Sequence, residues 1–220
     1  MTIIEENNTD LTLRSGELAE LLLWQKVGHG GKNAVSIRQE SGSRLRLFVI
    51  THQGVDAEND IHIEQLEPDC ATELYILGVG SGQQSFCNNT LIEHKSTGGK
   101  SLEVAKYILT DSSRGGFFGK IKVMEGAQRT EAYQTNRNVL MSDNAQVNTK
   151  PELEIYADDV KCSHGATTGQ LDTAAIFYMQ QRGIAIDEAR KMLLEAFVAE
   201  ITDRIPDAGI AEEIKKRIAI

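Results

Sequence analysis

Three stretches of the chain, SGELAELLLW (15–24), SGSRLRLFVI (41–50) and PDCATELYIL (68–77), share one plan: a turn of small or polar residues, then an apolar run. Leu21, Leu47 and Leu74 align within them at intervals of 26 and 27 residues. A unit this short cannot bury its apolar face alone, so successive units must stack, and that requirement points to a solenoid of β-coils. GGKSLEVAKYIL (98–109) is a looser echo of the same plan. The segment GELAELLLWQK (16–26) is rich in helix formers, with Ser15 available as a cap, yet it occupies the place in the repeat that strands fill elsewhere. It is read as a strand for that reason.

Further β-rich runs bounded by Gly, Ser, Asn and Asp continue the pattern: GKIKVME (119–125), NVLMS (138–142) and ELEIYA (152–157). Helix between strands is scarce, which excludes a layered βαβ architecture. After Gly169 the period changes. Asp172 is placed to cap a helix running to about Arg182, which Gly183 closes, and Asp187 to cap a longer second helix. The expected buried face of the second helix is Ala189, Met192, Leu193, Ala196, Phe197, Ile201 and Ile205. Pro206 and Gly209 break that helix, and AEEIKKRIAI forms a short last one. The expected organisation is an N-terminal segment 1–10, a β-coil core 11–169 and a helical domain 170–220, whose helices either cover the last coil or offer a docking surface.

The charge balance, 23 Lys and Arg against 32 Asp and Glu, gives −9, with no basic stripe to neutralise phosphates, so nucleic acid is not an expected partner. No apolar stretch is long enough to span a membrane, and the first ten residues do not read as a signal peptide, so the expected location is the cytoplasm. Cys70, Cys87 and Cys162 lack CxxC spacing and are expected as free thiols. GHGGK (28–32) and GVGSG (78–82) miss the spacing of phosphate-binding loops and read as turns.

One stretch remains, KCSHGATTG (161–169). If it is extended, Val160, Cys162 and His164 share one face, and a thiolate with an imidazole suits a soft metal ion or an iron–sulfur fragment. Two ligands leave such a site incomplete, with Asp158 and Asp159 as neighbours, and a buried thiol beside a hydrogen-bonded histidine is the competing reading.

LEIYADDVKCSHGATTGQLD (153–172) with IFYMQQRGI (176–184) closely resembles the C-terminal signature of the SufB/SufD family of iron–sulfur cluster assembly proteins. The likeness extends through 115–151 and 188–197, whereas residues 11–114 match only in character. It implies a mainly β fold, a right-handed parallel β-helix with a small C-terminal α-helical domain. It further implies a non-catalytic scaffold subunit of a SufBCD-like complex that docks a SufC-type ABC ATPase through its C-terminal helices. Phe177, Tyr178, Arg182 and Gly183 are the expected contacts. Pairing with a SufB/SufD-type subunit, as homodimer or heterodimer, is expected through the last β-strands, with apoproteins as cluster acceptors.

CSHGAT is the form typical of the SufD branch, so the resemblance places Cys162 and His164 at a subunit interface facing a transient iron–sulfur cluster, with no tightly bound cofactor. The acidic neighbours of the SufB branch are replaced by Ser163 and Gly165, and its assembly cysteine falls near Asn136. A stand-alone metal or cluster carrier, and a structural ATPase partner without cluster chemistry, are the alternatives. Relatives carry additional sequence before the part seen here.

Overall fold

The computed structural model describes residues 1–4, 7–25 and 30–218. Among these described residues thirteen strands run in chain order as β1 (Thr2–Ile4), β2 (Asn8–Leu13), β3 (Leu18–Gln25), β4 (Gly31–Gln39), β5 (Arg44–Thr51), β6 (Ala57–Gln65), β7 (Ala71–Gly80), β8 (Ser85–His94), β9 (Lys100–Leu109), β10 (Arg114–Val123), β11 (Thr130–Leu140), β12 (Gln146–Ile155) and β13 (Val160–Gly169). Helices α1 (Thr173–Gln180), α2 (Ile186–Thr202) and α3 (Ala208–Arg217) follow. Odd strands form one parallel seven-stranded sheet in the order β1-β3-β5-β7-β9-β11-β13, and even strands a parallel six-stranded sheet from β2 to β12. The chain thus alternates between two sheets coil after coil, as a parallel β-helix must. Pairing begins at Thr2, ahead of the boundary expected at residue 11.

The repeat seen in the sequence is a register. Leu21 pairs with Leu47 and Leu47 with Leu74. The same column continues through Glu103, Gln134 and His164. The coils lengthen toward the C-terminus, which is why the echo at 98–109 is loose. The turns before β3, β5, β7, β9 and β11 each place one residue in the left-handed region: Gly16 at φ +72°, Gly42 at +68°, Asp69 at +61°, Gly98 at +73° and Arg129 at +59°. Each backbone N–H there donates to the next coil, from Gly16 to Ser41 O and onward to Arg129 donating to Asp159 O. The glycine of SG and the aspartate of PD occupy this one slot, where a Cβ is a cost and Gly or Asp the least affected.

Two apolar clusters divide the molecule. The first fills the space between the sheets, with Leu47, Leu74, Ile37, Ile63, Ile92 and Phe117 among its members. The second lies on the outside of the odd sheet, where Leu22, Phe48, Ile50, Tyr75, Leu77 and Ile108 meet Leu194, Val198, Ile201, Ile205 and Ile214 of the helical tail. Burial on both faces explains the unbroken apolar runs LLLW, LFVI and YIL, whereas even strands such as β4 alternate. The helices therefore lie along the outer flank of the odd sheet, and the last coil is left open. The outer face of the odd sheet from β3 to β11, not the terminal strand β13, is what the tail covers.

Several local expectations are corrected. GVGSG is not a turn throughout, because β7 runs to Gly80; Gly78 is there because a Cβ would overlap the ring of Phe86. Asp172 does cap α1, accepting from Ala174 N at 2.8 Å, and Gly183 turns the chain away at φ +86°. The N-cap of α2 is Ala185, not Asp187, which sits in the first turn beside Glu188 where negative charge suits the helix dipole. The buried face of α2 is Ala189, Leu194, Val198 and Ile201, while Met192 is 39% exposed. Gly209 lies inside α3, which Asp207 caps by accepting from Ile210 N at 3.0 Å. Gly28 and His29 of GHGGK lie outside the described residues, and Gly31 and Lys32 open β4.

Candidate functional site

The candidate site stands on β13, the last strand of the odd sheet. It is paired with β11 alone, as β12 is paired with β10 alone, so both terminal strands present an open edge among the described residues. Pro151 within β12 fits that position, because proline lacks the ladder N–H and belongs on an edge. Extended geometry puts Val160, Cys162 and His164 on one face, with about 6.6 Å between Cα atoms two residues apart.

The two candidate ligands differ in access. Val160 and Cys162 pack against the core between the sheets, and burial pushes the Cys162 thiol above its usual range. His164 is exposed. In register beneath them lie Ala132 and Gln134 of β11. Asn136 is fully buried between Ala105 and Ala166, and its side-chain amide donates to Ala105 O at 3.3 Å, so it is packing and not a ligand position. Asp158 and Asp159 are exposed in the turn before β13; Asp159 N donates to Gln128 Oε1 at 2.9 Å and its carbonyl accepts from Arg129 N, so this backbone is used to close the coil. The donor set on this chain is one exposed imidazole and one half-buried thiol. That fits two corners of a metal or cluster site whose remaining ligands come from elsewhere.

Beneath His164 the column turns polar. Glu103 is fully buried and accepts from Thr90 Oγ1 at 2.6 Å and from Gln134 Nε2 at 2.7 Å. With no cation beside it, burial pushes its carboxyl up to about 7, against the two hydrogen bonds that favour the ionised form. Glu103 and Gln134 are absent from the sequence expectations. The signal that finds them is the register: continuing the leucine column by one coil at a time lands on them.

On α1, Phe177 and Tyr178 are 62% and 59% exposed. Arg182 lies over the Tyr178 ring, 4.5 Å from its centre, and Gly183 ends the same turn. The four residues expected to act together are therefore neighbours on one exposed corner. Elsewhere, His62, Glu64 and Glu93 bring their ligand atoms within 4.8 Å of one another on the outside of the even sheet. Lys95, Lys122 and Arg38 already reach those carboxylates. Although burial raises the Glu93 carboxyl, the hydrogen bond from His62 and the two lysines outweigh it and hold it below its usual range, as in an ion network. Cys70 is buried against backbone carbonyls and Cys87 is half-buried; with Cys162 they are free thiols. No helix among the described residues is long and apolar enough to cross a membrane.

Residues 25–197 match the family described as SUF system FeS cluster assembly, SufBD core domain. The chain is 35% identical over 184 residues to the iron–sulfur cluster assembly SufBD family protein of Synechocystis sp. (strain ATCC 27184 / PCC 6803 / Kazusa), which covers 84% of this chain and 41% of that protein. It is 45% identical over 129 residues to the iron–sulfur cluster assembly protein SufD of Escherichia coli (strain K12), covering 59% of this chain and 30% of the relative. With SufD of Bacillus subtilis (strain 168) the identity is 29% over 136 residues, covering 62% and 31%. The chain thus spans less than half the length of each of these curated relatives.

Proposed function

The chain belongs to the SufBD core domain family of the SUF iron–sulfur cluster assembly system, and from that premise we propose that it acts as a scaffold subunit of a SufBCD-like complex. In this reading the open edges of β12 and β13 pair with a second SufB/SufD-type subunit, and the α1 corner docks a SufC-type ABC ATPase. The ATPase activity belongs to that partner, and the nascent cluster is cargo passed on to apoproteins. The observation that carries the reading is that the helical tail leaves the last coil uncovered, with His164 exposed on its edge strand.

The role of each group follows from its surroundings. Unpaired strand edges supply a row of N–H and C=O groups that a second β-helix can satisfy. His164 offers an accessible imidazole to the cargo at that junction, and Cys162, held inward with a raised pKa, supplies a thiolate only when the partner or the cargo lowers its proton affinity. Phe177 and Tyr178 are the large exposed apolar side chains on α1 suited to anchor a partner.

The test uses the full chain mixed with a SufC-type ATPase and a SufB-type subunit from one source. Light scattering is expected to give a stable complex, and a Phe177→Ala, Tyr178→Ala double variant is expected to weaken ATPase binding at least tenfold. His164→Ala is expected to leave the complex intact while lowering the visible absorption of clusters assembled on it anaerobically. No complex with either partner would overturn the reading; an intact complex with undiminished clusters in His164→Ala would favour a structural ATPase partner.

A further inference from the structure

The column Leu21, Leu47, Leu74, Glu103, Gln134, His164 changes chemistry halfway, and the polar half has a direction. Both oxygens of Glu103 accept, one from Thr90 and one from Gln134. Ionised, as at pH 8, this carboxylate only accepts and obliges the Gln134 amide to turn its NH2 toward it, and therefore its oxygen away from it. Gln134 is fully buried, and its Oε1 takes no hydrogen bond among the described residues. The next position in register is His164. Across the coil, Gly119 makes the slot for this amide: a Cβ there would overlap both Gln134 Nε2 and the Phe117 ring. The amide is thus held by Glu103 and confined by the Gly119 slot, with its buried oxygen unused and His164 the next residue in register.

A neutral imidazole has one N–H and one bare nitrogen, and a hydrogen bond at one of them decides which is free to ligate. We propose that Glu103 and Gln134 are positioning residues for His164: Glu103 orients the Gln134 amide, whose Oε1 accepts the ring N–H of His164 and leaves the other ring nitrogen unprotonated and facing the open edge. This deepens the proposed function and rests on its assignment of His164 to the cluster junction. Glu103 and Gln134 touch no cargo; they act through the histidine.

The tautomer is readable without any metal, which separates this inference from the reading it serves. The full chain, labelled with 15N-histidine and held metal-free at pH 8, is examined by two-bond 1H–15N correlation NMR, with His164 assigned by its loss in His164→Gln. A single His164 tautomer is expected in the wild type. Gln134→Ala is expected to return the ring to the mixed tautomers of a free imidazole, and Glu103→Gln, which lets the amide flip, to shift the population toward the second tautomer. Mixed tautomers in the wild type, or His164 nitrogen shifts identical in all three proteins, would overturn the proposal. If Gln134→Ala loses the dispersed amide spectrum of the folded chain, the near-isosteric Glu103→Gln decides the question alone. Undiminished cluster assembly in His164→Ala would sink the functional assignment while leaving the tautomer result standing.

Discussion

Glu103 and His94 both sit inside the coils, and burial moves their proton affinities in opposite directions. The Glu103 carboxyl is pushed up to about 7 from an ordinary 4.5, so the folded state holds that proton more tightly than the unfolded chain. Its contribution is fully present below pH 4.5 and is lost as pH rises through 7. The His94 imidazole, hydrogen-bonded to Ser101 Oγ at 2.9 Å, is pushed down to about 4 from 6.5, so its contribution is present above pH 6.5 and is lost as pH falls through 4. Between about pH 4.5 and 6.5 the two slopes offset each other. Glu103→Gln removes one of them, and urea titrations are expected to show the variant gaining on the wild type by about 3 kcal/mol between pH 4.5 and pH 8. Parallel stability curves for the two proteins would show that folding does not raise the proton affinity of Glu103.

At the scale of elements, the attachment of α2 to the odd sheet turns on one buried cation. Lys106 is 1% exposed on the outer face of β9, where it meets Glu200, donates to Phe197 O at 3.0 Å and lies over the Phe197 ring, 4.1 Å from its centre. Arg137 of β11 reaches the same carboxylate at 3.4 Å. Nearby, Arg204 donates to Tyr75 OH at 3.3 Å, and Tyr75 stacks on Phe48 with ring centres 5.3 Å apart. Removing Glu200 leaves the ammonium buried without its anion, and Glu200→Ala is expected to destabilise the chain by about 1–3 kcal/mol, with amide exchange in α2 accelerated first. Adding Lys106→Met, which removes the stranded charge and keeps the volume, is expected to recover most of the loss. A double variant no more stable than Glu200→Ala would mean that the ion pair is not what holds the helix.

For the whole molecule, the position of the tail decides what can be cut away. Because α2 and α3 cover Leu22, Phe48, Ile50, Tyr75 and Leu77, deleting residues 170–220 is expected to expose a continuous apolar face and drive self-association, visible by light scattering and by dye binding. A monomeric, folded truncation would contradict the double-sided burial of the odd sheet. For this reason the partner test above uses point substitutions on α1 and leaves the tail in place. The sequence by itself determined the solenoid, the strands on either side of each SG or PD turn, the change to helix after Gly169 and the pairing of Cys162 with His164 on one face, because each follows from short-range periodicity and turn chemistry. It misplaced the start of α2 by a residue or two and got its buried face only in part, with Ala189, Ile201 and Ile205 buried as expected but Leu194 and Val198 in place of Met192 and Leu193, since a 3.6-residue period fixes the width of a stripe but not its phase. Only the tertiary structure decided that the helices lie along the flank and leave the last coil open. It also decided that the column begun by Leu21 ends in Glu103, Gln134 and His164. Those placements depend on coil lengths that vary along the chain, and register between strands about thirty residues apart is settled by packing between coils.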